Sequence, residues 1–362
     1  MTDLHDLSAV VHVHSTYSDG TATVAELIAA ARGSGAGAVL LTDHDTLAAR
    51  REGWAGTHDG VTVIVGTEVT WKRGHYLAFG VGGEIPHVGR SAVEIAAAVR
   101  EAGGVGFAAH PFSQGGSMLV PALTRRIVLP HGWPALEQPG GCDGIELWSV
   151  TTDAAEGWRT PAAAARWLRD PVAATASGPP QQHLRIWDAL SAHRRVPALG
   201  GLDGHAPGVR IRGRVRSPLS HARTFGLLRT HLLLDRPLSE GRDPDADEAT
   251  IVAALRVGST WLSRPLVAPA DGARFWAELA DGSYVPMGGE AIVATGARSV
   301  LRVRLPRAAE LLVVRDGETF MRADGATLEA PVTGAGVYRL EARVGGALWL
   351  LSNPVHLRER GR

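Results

Sequence analysis

VVHVHSTYSDG, residues 10–20, decides how the chain is read. A short apolar run ends in two histidines spaced i and i+2, which a strand projects from one face, and Asp19 follows a few residues on. The same pattern recurs outward along the chain. AVLLTDHD (38–45) ends with His44, VTVIVGTEV (61–69) with Glu68, and GVGFAAHP (104–111) with His110. PALGGLDGH (197–205) closes on Asp203 and His205, while HYLAFGV (75–81) begins with His75. Histidine and carboxylate are the ligands that zinc, manganese and iron take, and parallel strands of an α/β barrel deliver such residues to a shared mouth. One histidine alone would read as a core or surface residue; the ensemble reads as a metal centre.

Helices fit between these strands. Thr23 with Glu26 ahead of LIAAAR, and Ser91 with Glu94 ahead of IAAAVREAG, are capping-box signals. CDGIELWS adds a further strand, residues 113–140 read as a long Gly- and Pro-rich loop over the site, and 160–194 as helical. From about residue 258 the pattern becomes short alternating runs between DG, GG and TG turns: STWLSR, RFWAEL, SVLRVRL, ELLVVRDG, VYRLEARV and ALWLLSNPVHL. These predict a small all-β sandwich. The expected organisation is a barrel over 1–265 and a β-sandwich over 266–362.

Composition limits the partners. With 37 Lys+Arg against 37 Asp+Glu the formal net charge is zero, so the whole chain carries no electrostatic case for a stable nucleic-acid partner or a membrane surface. Lys72 is the only lysine, and the arginine and alanine richness looks like coding bias, so arginine counts carry little weight. Cys142 is the only cysteine, which excludes an intrachain disulfide. No basic-then-apolar leader opens the sequence and no run approaches a membrane span, so the expectation is a cytoplasmic enzyme acting on a small molecule.

Taken in order, HVHSTYSDG, TDHD, HP and DGH resemble the four motifs of the PHP (polymerase and histidinol phosphatase) metallohydrolases, over residues 8–265. The resemblance implies a distorted (β/α)7 barrel holding two or three divalent metal ions. It would place His12, His14, Glu68 and Asp203 around a first ion and Asp19, His44 and His205 around a second. Glu68 would bridge to a third ion held by His75 and His110. Asp19 stands where some relatives carry histidine, a harder ligand set that keeps manganese and iron beside zinc. His75 opens its strand instead of ending it, so the strand-end rule does not predict it. Asp43 and Asp45, on the face opposite His44, are expected to orient ligands or steady the turn. The tail further resembles the PHP branch that includes carbamate-hydrolysing enzymes.

Clustered ions suit hydrolysis, because a shared water loses its proton near neutral pH. No GxSxG elbow and no nucleotide-cradling glycine loop competes with that reading. The expected reaction is attack by a metal-bound hydroxide on a phosphate ester, with His205, Asp19 and His44 nearest the chemistry. VRIRGRVRSPLSHAR places Arg210, Arg212 and Arg214 at alternate positions, so these, with His221 and Arg229, are the candidate substrate contacts. Hydrolysis of an aryl carbamate, ester or amide is the alternative, and a catalytically silent PHP module is a second. Trp148, Trp158, Trp167 and Trp187 read as packing, as do Trp261, Trp276 and Trp349.

Overall fold

The computed structural model describes residues 4–72, 74–120 and 123–359. Its first half is built from β1 (His5–Val13), β2 (Ala38–Leu41), β3 (Gly56–His58), β4 (Val61–Val65), β5 (Thr67–Trp71), β6 (Gly74–Phe79) and β7 (Val105–Ala109). A hairpin of β8 (Gly116–Val120) and β9 (Leu123–Val128) follows, then β10 (Gly144–Ser149) and β11 (Ala198–Gly201). A second hairpin, β12 (Val209–Ile211) and β13 (Arg214–Arg216), precedes β14 (Arg229–Leu234) and β15 (Thr260–Ser263).

β1, β2 and β4 are parallel neighbours, and so are β7, β10 and β11. The two sets meet at both edges. β4 runs through Gly66 into β5, which pairs with β6, while Leu202 N donates to Val11 O and Gly204 N to His12 O at 3.0 and 3.1 Å. Counting β4 and β5 as one interrupted strand, β1, β2, β4/β5, β6, β7, β10 and β11 close a distorted seven-stranded barrel. Its strands are apolar on both faces because helices cover the outside. Helix Val24–Gly33 starts at Thr23 and helix Ala92–Glu101 at Ser91, each with the reciprocal capping box that the sequence predicts.

One strand departs from a parallel barrel. β6 runs antiparallel to both β5 and β7, in the register Thr70↔His75 and His75↔Ala109. Its first residues therefore sit at the end where its neighbours finish. That reversal is why His75, at the start of its strand, reaches the same mouth as His110, which follows the last residue of β7.

The stretch 113–140 is not a plain loop: β8 and β9 pair as an antiparallel hairpin within it. The helical expectation for 160–194 corresponds to helices Pro161–Arg169, Pro171–Ala174 and Gln181–His193.

The β-rich remainder comprises β16 (Arg274–Leu279), β17 (Tyr284–Pro286), β18 (Glu290–Val293), β19 (Arg298–Arg315), β20 (Glu318–Thr333), β21 (Gly336–Val344), β22 (Ala347–Ser352) and β23 (Val355–Glu359). SVLRVRL and ELLVVRDG, which read as two strands, are one long strand, β19; a register irregularity between Arg304 and Ala309 divides it. Its first half pairs with β16 and its second half with β21. β20 has no counterpart in the sequence reading, because its polar alternation carries little apolar signal.

Trp261 and Trp349 are fully buried in the core of this part. The sheet is continuous with the barrel: β1 pairs with β14, β14 with β15, and β15 with β22. Residue 265 thus falls just after a strand of a shared sheet. Asn353 ties the join by bonding Ala198 N and O and Thr260 O at 2.8 to 2.9 Å, and Arg339 donates to both carboxylate oxygens of Asp188.

Candidate metal centre

The residues that end the barrel strands are held in unusual backbone conformations. His12 (φ 62°), His110 (φ 28°) and Asp203 (φ 51°) all lie at positive φ, which costs a non-glycine residue about 1–3 kcal/mol and persists where the surroundings over-determine it. At His12 the β1/β2 register slips between Val11 and Val13. The bulge breaks simple strand parity, yet His12 and His14 still converge on one carboxylate oxygen.

That oxygen belongs to Glu68, buried at the centre. Oε2 lies 2.9 Å from His12 Nε2, 3.0 Å from His14 Nε2 and 3.7 Å from His44 Nδ1. Oε1 lies 2.8 Å from His75 Nδ1 and 3.2 Å from His110 Nε2. Asp203 Oδ1 stands 3.5 Å from His12 Nε2, 3.6 Å from His14 Nε2 and 3.4 Å from His205 Nδ1. Asp19 Oδ1 stands 3.1 Å from His205 Nε2 and 3.8 Å from both His14 Nδ1 and His44 Nε2.

Three overlapping groups bring their ligand atoms within 4.8 Å of one another: His12, His14, Glu68 and Asp203; His14, Asp19, His44 and His205; and His44, Glu68 and His75. Eight of the nine residues that the sequence singles out as ligands thus meet in these groups. His110 touches Glu68 and stacks at 5.7 Å on His12, but the third group takes His44 in its stead.

The donor set fits cations. His12 faces a carboxylate oxygen at each ring nitrogen, Glu146 Oε1 at 2.8 Å on Nδ1 and Glu68 Oε2 on Nε2. A neutral imidazole has one N–H, so two such contacts require either a second proton or a cation on one side. Nδ1 of His14 and Nδ1 of His110 are buried with no hydrogen-bond partner. Buried polar atoms left so are rare unless something else fills the gap.

Without metal, protons fill that role. Burial opposes the imidazolium of His12, but Glu146, Glu68 and Asp203 outweigh it and hold the pKa well above the usual histidine value. Burial likewise opposes charge on His205, yet Asp203 and Asp19 raise it to about 9. For Asp19 burial works upward and His205, His14 and His44 win, lowering it to about 2. Glu68 and Asp203 are both pulled well below the carboxylate range against burial, with His12 the leading cause in each.

Residues without a motif complete the centre. Glu146, in mid-β10, accepts from His12 and, through Oε2, from the His110 backbone N–H at 2.7 Å. A lone glutamate inside the apolar run GIELWS was the available signal. Thr152 donates its hydroxyl to Asp203 Oδ2. His131, from the 113–140 segment, packs 4.4 Å from His75 and 5.3 Å from His110. Burial, then His75 and His110, push its pKa down to about 4. Asp43 takes the steadying role: it accepts from Ser15 N and Oγ at 2.7 Å and Ser18 Oγ at 2.6 Å, bracing the turn after His14. Asp45 accepts from Thr70 N at 2.8 Å.

The cluster floors a cavity of about 690 Å³. Asp19, His44, His75, His110, Asp203 and His205 face it, with His131, and its walls are Met118, Ile127, Leu129, Trp158 and Leu219. Trp158 therefore does more than pack.

The expected substrate contacts need correction. Arg229 is buried away from the cavity and donates to Phe225 O, Ser8 Oγ and Ser34 O, so it pins the barrel wall. Arg210 is held by Glu26 at 2.8 to 2.9 Å and by Thr21 O. The single basic face does not form, because Arg212 (φ 49°) and Gly213 (φ 77°) make a tight hairpin turn between β12 and β13. Arg212 lies exposed at that turn, and the Arg214 side chain lies outside the described residues. His221 is buried, its ring 5.1 Å from that of Phe225, and does not line the cavity.

Residues 11–109 match the PHP domain family. No curated protein matches. Among solved structures the chain is similar to a two-domain protein containing a predicted PHP-like metal-dependent phosphoesterase from Bacteroides vulgatus. That pair is 15% identical with a TM-score of 0.44, covering 98% of this chain and 97% of that one. A proposed metal-dependent phosphoesterase from Bifidobacterium adolescentis is 20% identical with a TM-score of 0.35, over 59% and 91% of the two chains. An amidohydrolase from Chromobacterium violaceum is 17% identical with a TM-score of 0.33, over 55% and 88%.

Proposed function

We propose that the chain is a metal-dependent hydrolase that uses two or three divalent ions to cleave a phosphate ester. The observation that carries this reading is the overlap of three ligand groups through Glu68, His14 and His44 at the base of one cavity. His12, His14, Glu68 and Asp203 would hold one ion, and Asp19, His44 and His205 a second. Glu68, His75 and His110 would hold a third. Bound there, such ions lower the pKa of water towards about 7 and neutralise charge on substrate oxygens.

The chain's own groups do the rest. Glu146 fixes the His12 ring through Nδ1 and the His110 backbone through N–H, so one ring and the backbone that carries the other are set before metal arrives. Thr152 fixes Asp203 in the same way. Asp19, whose side chain is 59% exposed, is the open side of the cluster and marks where substrate meets it. His131 is neutral at neutral pH and stands beside His75 on the cavity wall, where a ring N–H can support a substrate oxygen.

The cavity also favours a second reading. Its walls are apolar and no arginine or lysine lines it among the described residues, which suits an aryl carbamate, ester or amide better than a dianionic phosphate. Turnover of p-nitrophenyl phosphate, bis-p-nitrophenyl phosphate and an aryl carbamate, each with manganese, zinc or iron, decides between them. Carbamate turnover without phosphoester turnover selects the second reading; no metal-dependent turnover of any of them overturns the hydrolase.

A further inference from the structure

At the end of the barrel opposite the histidine cluster lies a different cavity, of about 400 Å³. It opens where β7, β10 and β11 begin, and Arg100, Arg194, Arg195 and Arg256 line it with Cys142 and Asp143. We propose that it binds a small phosphate-bearing anion.

The charge balance carries the argument. Asp143 is the single carboxylate among the lining residues, and both its oxygens are engaged, Oδ1 by Arg100 NH1 at 3.0 Å and Oδ2 by Gly106 N at 2.9 Å. The other guanidiniums meet neutral acceptors. Arg194 donates to Leu136 O at 2.9 Å and to Cys142 Sγ at 3.3 Å, and Arg256 donates to Gly103 O at 2.7 Å. Arg195 has no side-chain partner among the described residues. Four cations thus share one concave space with one anion.

Helix ends explain part of this. Arg100 and Arg256 sit in the last turns of helices Ala92–Glu101 and Pro244–Val257, where cations are favoured. That preference accounts for each arginine singly, but helix ends offer only partial charge and leave Arg195 unexplained. The carbonyl contacts also hold the guanidiniums of Arg100, Arg194 and Arg256, so their remaining N–H groups are oriented before a ligand arrives. Planar, oriented guanidiniums match phosphate oxygens in pairs, and the volume suits an anion of nucleotide size or smaller.

The test is titration calorimetry with inorganic phosphate on the metal-loaded chain and on Glu68→Gln, which removes phosphate binding at the metal centre from the measurement. The expected result is one salt-sensitive site that persists in Glu68→Gln and weakens about tenfold in Arg195→Ala and in Arg256→Ala. Arg195→Glu abolishes it. Both arginines are exposed, so these variants fold; should Glu68→Gln not fold, the loss of one phosphate site in Arg195→Glu of the metal-loaded chain decides the matter. Absence of phosphate binding in Glu68→Gln, or unchanged binding in the arginine variants, overturns the site. Neither outcome bears on hydrolysis at the other end.

Discussion

Two buried histidines, His12 and His231, show what separates a candidate ligand from a side chain that ties strands together. Each ring bonds at both nitrogens. His231 gives Nδ1 to Asp6 Oδ1 at 2.7 Å and meets Ser263 Oγ with Nε2 at 2.9 Å, while its ring stacks 3.8 Å from Trp261. A serine hydroxyl can donate, so a neutral imidazole satisfies both contacts, and Asp6 Oδ2 is completed by Gly272 N. Although serine, histidine and aspartate line up here as in a hydrolytic triad, His231 and Ser263 are buried, and the three join β1, β14 and β15. His12 instead faces acceptors on both sides and shares Glu68 with four further histidines. Residue type is the same in both places; the surplus of acceptors is what sets His12 apart.

The sharpest way to break this comparison is to remove the shared acceptor. Glu68→Gln is expected to reduce metal-dependent turnover to background and to lower bound metal measured by elemental analysis; retention of full metal content would separate Glu68 from the centre. Glu146→Gln keeps the ligands but loosens His12 and His110, and should weaken metal affinity about 10–100-fold.

If the cluster holds metal as proposed, proton and metal compete for it, which yields a pH test with opposite signs. In metal-free protein His205 has a folded pKa of about 9 against an ordinary 6.5. Its ion-pair stabilisation is therefore complete below about 6.5 and is lost as pH rises through 9. Melting temperature of the chelated protein should fall across that window, whereas metal-loaded protein holds or gains, because its ligands must be deprotonated. Parallel curves would mean that the histidines do not hold the ions.

A smaller effect is expected at Gly201. A Cβ there would stand 1.9 Å from Glu146 Oε1 and 2.8 Å from His12 Cβ, so Gly201→Ala should cost about 1–3 kcal/mol in denaturant unfolding and weaken metal binding with it. His231→Ala should cost about 1–3 kcal/mol and leave metal content untouched, the contrary outcome to Glu68→Gln. Least of all, Arg210→Ala should leave kcat/KM unchanged, since its guanidinium serves Glu26 at the surface.

Much of the site was legible because its ligands come in motifs at strand ends, and strand ends of a barrel share a mouth. His75 was harder: it converges only because β6 is reversed, and pairing direction leaves no mark in a six-residue apolar run. Glu146 has no motif at all, and its role appears only when β10 lies beside β7 and β11. The arginine face was misread for a local reason, since alternation predicts a face only while the strand continues, and Arg212–Gly213 turns it back. Fold class followed from alternating apolar segments and capping boxes, whereas the length of β19 and the presence of β20 depended on tertiary pairing that polar alternation does not announce.

The ladder that passes from β14 through β15 to β22 also sets the terms on which the two halves could ever be separated. A chain stopped at residue 265 would keep β15 but strip its outer neighbour, exposing a row of unpaired amides and carbonyls beside an uncovered Trp261. Such a margin invites another copy to dock strand against strand. The β-rich half thus serves the barrel as a seal along β15.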